Sequence, residues 1–131
     1  MALASHSTPR ITFFGDSAEQ SRELIGLIIA GKKTATCSAL RDYEKENEPL
    51  PQKDEQFTVF NFDEMPACII VITDVFTRVF EQVDEDFALA EGEGDFATWK
   101  KGHMNYFERN GGWSKDMQLV CERFELLEVI V

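Results

Sequence analysis

The segment ACIIVITDVFTRVF, residues 67–80, restricts the fold more than any other stretch of the chain. It opens as a nearly continuous apolar run rich in β-branched residues, the pattern of a central strand buried on both faces. The run is far shorter than the ~20 residues a membrane-spanning helix needs. FTVFNF, residues 57–62, precedes it and alternates, with Phe57, Val59 and Asn61 on one face and Thr58, Phe60 and Phe62 on the other. The NFDEMP between them reads as a hairpin turn. A sheet built around this pair sets the frame for everything else.

Helical and strand signals flank the pair. In DSAEQSRELIGLIIAG, residues 16–31, Ser17 and Gln20 fit a capping box, and Gly31 falls where a left-handed C-cap belongs. Leu24, Ile25 and Ile28 share one face, which Ile29 widens. TATCSAL then reads as a strand, and RDYEKENEPLPQKDEQ, with Pro49 and Pro51, as an exposed loop. VDEDFALAEGEGD predicts a short helix capped by Asp84 and ended by Gly92. DFATWKKGHMNYFERNGG predicts an amphipathic helix presenting Phe96, Trp99, His103, Tyr106 and Phe107, stopped at Asn110 and the glycines after it. MQLVCERFELLEVIV closes as a long strand, and ITFFG is either a first strand or a packed lead-in segment. Connections this irregular do not make a βαβ repeat; they predict an α+β domain around a small mixed or closed sheet. Residues 1–10 read as a loose polar leader and 11–131 as a single domain.

Charge and cysteine content narrow the chemistry. With 13 basic and 24 acidic residues the net charge is −11. Long nucleic acids are repelled, so tight sequence-blind binding to RNA or DNA is disfavoured, although a local cleft could still take RNA. The three cysteines, Cys37, Cys68 and Cys121, are far apart and lack CxxC spacing. That argues against a disulfide framework or structural zinc, and suits a reducing cytoplasm. His6 and His103 are the only histidines and are not spaced as ligands, so no metal and no cofactor are expected.

Two stretches could carry chemistry. In GKKTATCS, residues 31–38, Lys33 and Thr36 lie three apart across a helix-to-strand junction, where an ammonium and a hydroxyl can face one cavity. The plain alternative is a glycine cap with lysines at the negative end of a helix dipole. Ser38 shares the Thr36 face by strand alternation, whereas Cys37 faces away and reads as core. In ALAEGEGD, Glu91, Glu93 and Asp95 surround two glycines; the segment is either a solvated acidic turn or a place where backbone comes close and a carboxylate is exposed. Trp99, His103 and Tyr106 read as core, though they would stack a pyrimidine if they lined a cleft.

These segments together resemble the ASCH family, the activating signal cointegrator homology domains, in its larger bacterial form. GKKTAT matches the family's G-x-K-x-x-T motif, and FALAEGEGD, TWKKGHMNYF and LVCERFELLEVI follow in the family's order. The resemblance implies a PUA-like fold, a small mixed β-barrel with flanking helices and a cleft at the motif. One small bacterial branch deacylates N4-acetylcytidine with a Lys, a Thr and a Glu. Its lysine and threonine fall on Lys33 and Thr36, and its glutamate on Glu93 through Ala90-Glu91-Gly92-Glu93, with Glu91 the neighbouring choice. Gly31, Ser38, Arg41, Tyr43 and Arg123 are the expected substrate-binding residues. Either Lys33, its pKa lowered by burial, takes the proton of the Thr36 hydroxyl, or Glu93 activates a water while Lys33 stabilises the oxyanion. The alternatives to an amidohydrolase are a ribonuclease on single-stranded RNA, with or without a divalent ion, and a non-catalytic RNA- or nucleotide-binding module. The acidic balance favours a nucleoside substrate over both.

Overall fold

In a computed structural model that describes residues 9–130, the chain runs β1 (Arg10–Phe13), α1 (Ala18–Ile29), β2 (Ala35–Ala39), α2 (Leu40–Lys45), β3 (Gln56–Phe60), β4 (Pro66–Val79), a 3-10 turn (Phe80–Gln82), α3 (Glu85–Ala90), α4 (Phe96–Arg109) and β5 (Gln118–Val129). Residues 1–8 of the expected leader, His6 among them, lie outside the described residues. Arg10 already belongs to β1, where its guanidinium bonds Glu48 and Glu55. ITFFG therefore supplies a strand.

The five strands form one mixed sheet in the order β1-β3-β4-β5-β2, with β1 parallel to β3 and every other pair antiparallel. The long apolar run is the central strand β4, and a register shift between Ile72 and Asp74 explains its composition. Up to that bulge Cys68, Ile70 and Ile72 are buried against Leu24, Ile25 and Ile28 of α1. Beyond it the alternation flips, and Phe76 packs into a second core with Phe80, Phe87, Trp99 and Phe107. A bulge adds one residue and increases local bend and twist. β1 and β2 are at opposite ends of the strand order, yet residues of both line one cavity, so the sheet curls into a half-barrel flanked by four helices.

Local signals account for most boundaries. The Ser17 side chain accepts from the Gln20 amide at 3.1 Å, while Gln20 Oε1 returns the bond to Asp16, one residue before the cap. Gly31, at φ +79°, lets the Gly31 and Lys32 amides bond the Ile28 and Leu27 carbonyls, which ends α1. Asp84 and Asp95 cap α3 and α4 through the amides of Phe87 and Thr98. In the β3–β4 hairpin, Asn61 leaves the strand, and its side chain accepts from the amides of Asp63 and Met65.

Two expectations need correction. Ile29 is 40% exposed and does not widen the α1 face; the buried small residue there is Ser21. The loop expected from Arg41 begins instead as α2. This helix lacks an apolar repeat and a side-chain cap; tertiary bonds from Arg41 to Gly112 O (2.6 Å) and between Ser38 and Tyr43 (3.3 Å) hold it.

Gly31 and Gly92 both have positive φ but differ in their surroundings. A Cβ on Gly31 would meet nothing within 4 Å, whereas one on Gly92 would sit 2.4 Å from the Lys32 carbonyl oxygen. Gly31→Ala should therefore cost about 1–2 kcal/mol, the price of the left-handed conformation alone. Gly92→Ala should lower the melting temperature by clearly more, because the α3 end must also move off Lys32. Thermal denaturation of the two variants side by side checks this ordering.

Candidate functional site

The junction after α1 is what aims Lys33. The amides of Lys32 and Lys33 both bond Leu27 O, at 2.9 and 3.1 Å, and the Thr34 amide bonds Ala90 O at 2.8 Å. These contacts hold the start of β2 against the end of α3, and the side chain of Lys33 passes inward. It is 2% exposed. Its Nζ donates to Glu91 Oε1 and to Glu93 Oε2, each at 3.1 Å, and lies 5.8 Å from the Phe14 ring centroid.

Glu91, 1% exposed, is held from several sides. Besides Lys33, the Trp99 indole donates to its Oε2 at 3.0 Å, and His103 Nε2 lies 3.5 Å from Oε1. His103 Nδ1 faces the Trp99 carbonyl oxygen at 2.9 Å. Both ring nitrogens thus face acceptors, an arrangement that suits the imidazolium. Burial opposes charge on His103, but Glu91 and Glu93 outweigh it and raise its pKa. The same contest decides Lys33: desolvation opposes its charge, and the two carboxylates more than offset it, so its pKa lies above that of an ordinary lysine. Glu91, despite its burial, is held below the usual carboxylate range by Lys33 and His103. The expectation that burial lowers the Lys33 pKa is therefore overturned. In the resting protein this is an ammonium between two carboxylates, not a free amine.

A cavity of about 220 Å³ opens beside this cluster, lined by Lys33, Glu91 and Glu93, by Thr36, Cys37 and Ser38 of β2, and by residues of β1, α1 and α4. It contains much of what the sequence pointed to. Thr36 and Ser38 reach it from one face of β2, and Tyr43 from α2. The Glu93 side chain is 26% exposed, against 1% for Glu91. His103 and Tyr106 line it as well, while Trp99 is core, stacked on Phe80 at 5.5 Å. Cys37 packs with the second core and edges the cavity, and burial, followed by the nearby Glu91, raises its thiol pKa well above normal.

Three expected residues stand elsewhere. Gly31 is exposed at the α1 cap and does not line the cavity. Arg41 binds the Asn110 and Gly112 carbonyls, joining α2 to the end of α4. Arg123 points to the other side of the sheet, bonded to Asp86 at 3.2 Å over the Phe87 ring. Alternation on β5 is the reason: Glu122 and Arg123 are neighbours, so only one can face the cavity.

That one is Glu122, which sequence reasoning passed over. It pairs with Thr36 across β5 and β2, is 7% exposed, and lines the cavity. Ser38 Oγ donates to the Tyr43 hydroxyl at 3.3 Å, which donates in turn to Glu122 Oε2 at 3.5 Å. Burial pushes the Glu122 carboxyl up to about 7 and the Tyr43 phenol up to about 12. The available signal was a single acid whose neighbours two residues away on the same strand face, Val120 and Phe124, are apolar.

Among the described residues, one trio has metal-ligand chemistry: single ligand atoms of Cys37, Glu91 and His103 lie within 4.8 Å of one another. Glu91 already bonds Lys33 and Trp99, and a divalent ion there would sit against a buried ammonium. The trio fits a proton network better than a cation.

The family model described as the ASCH domain matches residues 10–128. The crystal structure of an ASCH domain from Lactobacillus crispatus is 34% identical, with a TM-score of 0.86 over 95% of this chain and 82% of that one. A crystal structure from Enterococcus faecalis, described under the family name DUF984, is also 34% identical, with a TM-score of 0.85 over 92% of this chain and 77% of that one. An ASCH protein from Zymomonas mobilis shares the fold at 11% identity and a TM-score of 0.54, over 93% of this chain and 71% of that one. No curated protein matches the chain. Among the described residues, no helix is long and apolar enough to cross a membrane. With a matching model over residues 10–128 and a half-barrel shared with ASCH crystal structures, the chain belongs to the ASCH domain family.

Proposed function

We infer that the protein is a small amidohydrolase that removes the acyl group from an N-acylated cytosine nucleoside of the N4-acetylcytidine type. The observation that carries this reading is the Lys33 ammonium held at 3.1 Å from both Glu91 and Glu93 at the wall of a cavity shared with Thr36. The charged state of Lys33 favours one of the two mechanisms left open by the sequence. Glu93, the more exposed carboxylate, takes a proton from a water that attacks the acyl carbonyl carbon. Lys33 stabilises the oxyanion, and the Thr36 hydroxyl orients the amide. Collapse of the tetrahedral intermediate breaks the C–N bond, and Glu93 returns the proton to the exocyclic nitrogen, releasing carboxylate and cytidine. Glu91, tied to Trp99 and His103, positions Lys33.

Size and charge support a nucleoside over RNA. A cavity of about 220 Å³ lies below the ~300–1,000 Å³ range typical of drug-sized ligand pockets. Among the described residues, Lys33 and His103 are the only basic side chains that line it, beside Glu91, Glu93 and Glu122. Such a lining suits a neutral base better than a phosphate backbone.

Incubation with N4-acetylcytidine should yield cytidine and acetate, insensitive to chelators. Glu93→Gln and Lys33→Ala should each lose at least about 100-fold in rate. Cytidine production that persists in both would remove the cluster from the reaction. Intact-mass spectrometry during turnover should show no acylated enzyme; an acyl group on Thr36 would restore the hydroxyl as nucleophile and contradict the water mechanism.

Lys33→Ala should also destabilise the fold by about 3–5 kcal/mol, because it strands the buried Glu91 carboxylate. Adding Glu91→Gln should recover much of that stability while activity stays lost. Calorimetric melting and rate assays on the single and double variants separate the two roles.

A further inference from the structure

Glu122 has no place in the hydrolysis just described, yet it is a buried acid at a cavity wall. Its Oε2 accepts from Tyr43, whose hydroxyl accepts from Ser38. Among the described residues, its Oε1 takes no hydrogen bond. The carboxyl lines an open cavity, and an acceptor there without a protein partner is within reach of a ligand donor that can replace water on it. We propose that Glu122, fixed by Tyr43 and Ser38, is the base-reading subsite of the cavity, its Oε1 pairing with the ring N3 position of a pyrimidine nucleoside. The proposal rests on the nucleoside reading above and adds which atom recognises the base.

The two protonation states read different edges. A protonated carboxyl presents O–H, which suits the N3 acceptor of cytosine. An ionised one presents only acceptors, which suits the N3–H of uracil. The groups around Glu122 set where the exchange occurs. Burial favours the neutral acid, as do Glu55 and Glu91, while the Tyr43 hydroxyl and Arg10 favour the carboxylate; the result lies about 7. Because the folded-state pKa is raised, the neutral acid persists well above the ordinary glutamate range and is lost as pH rises through 7.

Cytidine and uridine carry no acyl amide, so their binding tests the subsite apart from hydrolysis. Titration calorimetry of the wild type should show cytidine weakening about tenfold from pH 6 to pH 8 and uridine tightening about tenfold, as one proton is exchanged. Glu122→Gln, neutral throughout, should flatten both slopes. Tyr43→Phe removes a donor to the carboxylate and should move the midpoint of both upward. Parallel slopes, flat slopes, opposed slopes that survive Glu122→Gln, or no binding of either nucleoside would overturn the subsite. Hydrolysis of N4-acetylcytidine without the opposed slopes would sink the subsite and leave the hydrolase; opposed slopes without hydrolysis would do the reverse.

Discussion

The ion pair between Lys33 and Glu91 is the contact on which the rest of the site depends. Both side chains are almost wholly buried, at 2% and 1% exposure. Desolvating two charges costs on the order of several kcal/mol each unless geometry and further hydrogen bonds compensate. Here the compensation comes from Glu93, from the Trp99 indole and from His103. Four segments of the chain must meet for this to work: the junction after α1, the start of β2, the α3–α4 link and the first turns of α4. The glycine at 92 is the hinge of that meeting, since only a residue without Cβ lets the α3 end lie on the Lys32 carbonyl.

The architecture follows from the same need. The Ile72–Asp74 bulge divides β4 between two cores on opposite sheet faces, one closed by α1 and the other by α3 and α4. Lys33 and its partners lie where the α1 junction and the α3–α4 link meet along the edge strand β2. A bidentate contact of Arg109 with Asp16, joined by Asn110, ties the end of α4 to the turn after β1 across the cavity. The cluster of Lys33, Glu91 and Glu93 is therefore framed by elements far apart in sequence and held by side-chain bonds at both ends of α4.

Local physics made much of this legible. Caps at Ser17 and Asp84, the glycine at 31 and the apolar run of β4 each announce an element through interactions within a few residues, whereas Asp95, read as one of the acids around the glycines, turns out to cap α4. The motif lysine and threonine, and the glycine-flanked acids, pointed to one cavity before any fold was known. What stayed hidden is what long-range contacts decide. Helix α2 has no periodicity of its own and exists because Arg41 and Tyr43 find partners on the turn after α4 and on β5. Arg123 looked available to a ligand and Glu122 did not, because which of two neighbours faces inward depends on strand register. The Lys33 pKa was misjudged for the same reason: burial was legible, but two carboxylates at 3.1 Å were not.

The chemistry of the site thus turns on the protonation state of Lys33, which direct titration of its side chain reads. Carbon and nitrogen NMR signals of Lys33, assigned by their disappearance in Lys33→Arg, can be followed through the alkaline range. A midpoint above the ordinary lysine value of ~10.4, with the signal of an ammonium throughout neutral pH, is what the Glu91 and Glu93 contacts require. A midpoint near neutrality would mean that desolvation wins, would make Lys33 a free base beside Thr36, and would contradict this account of the site.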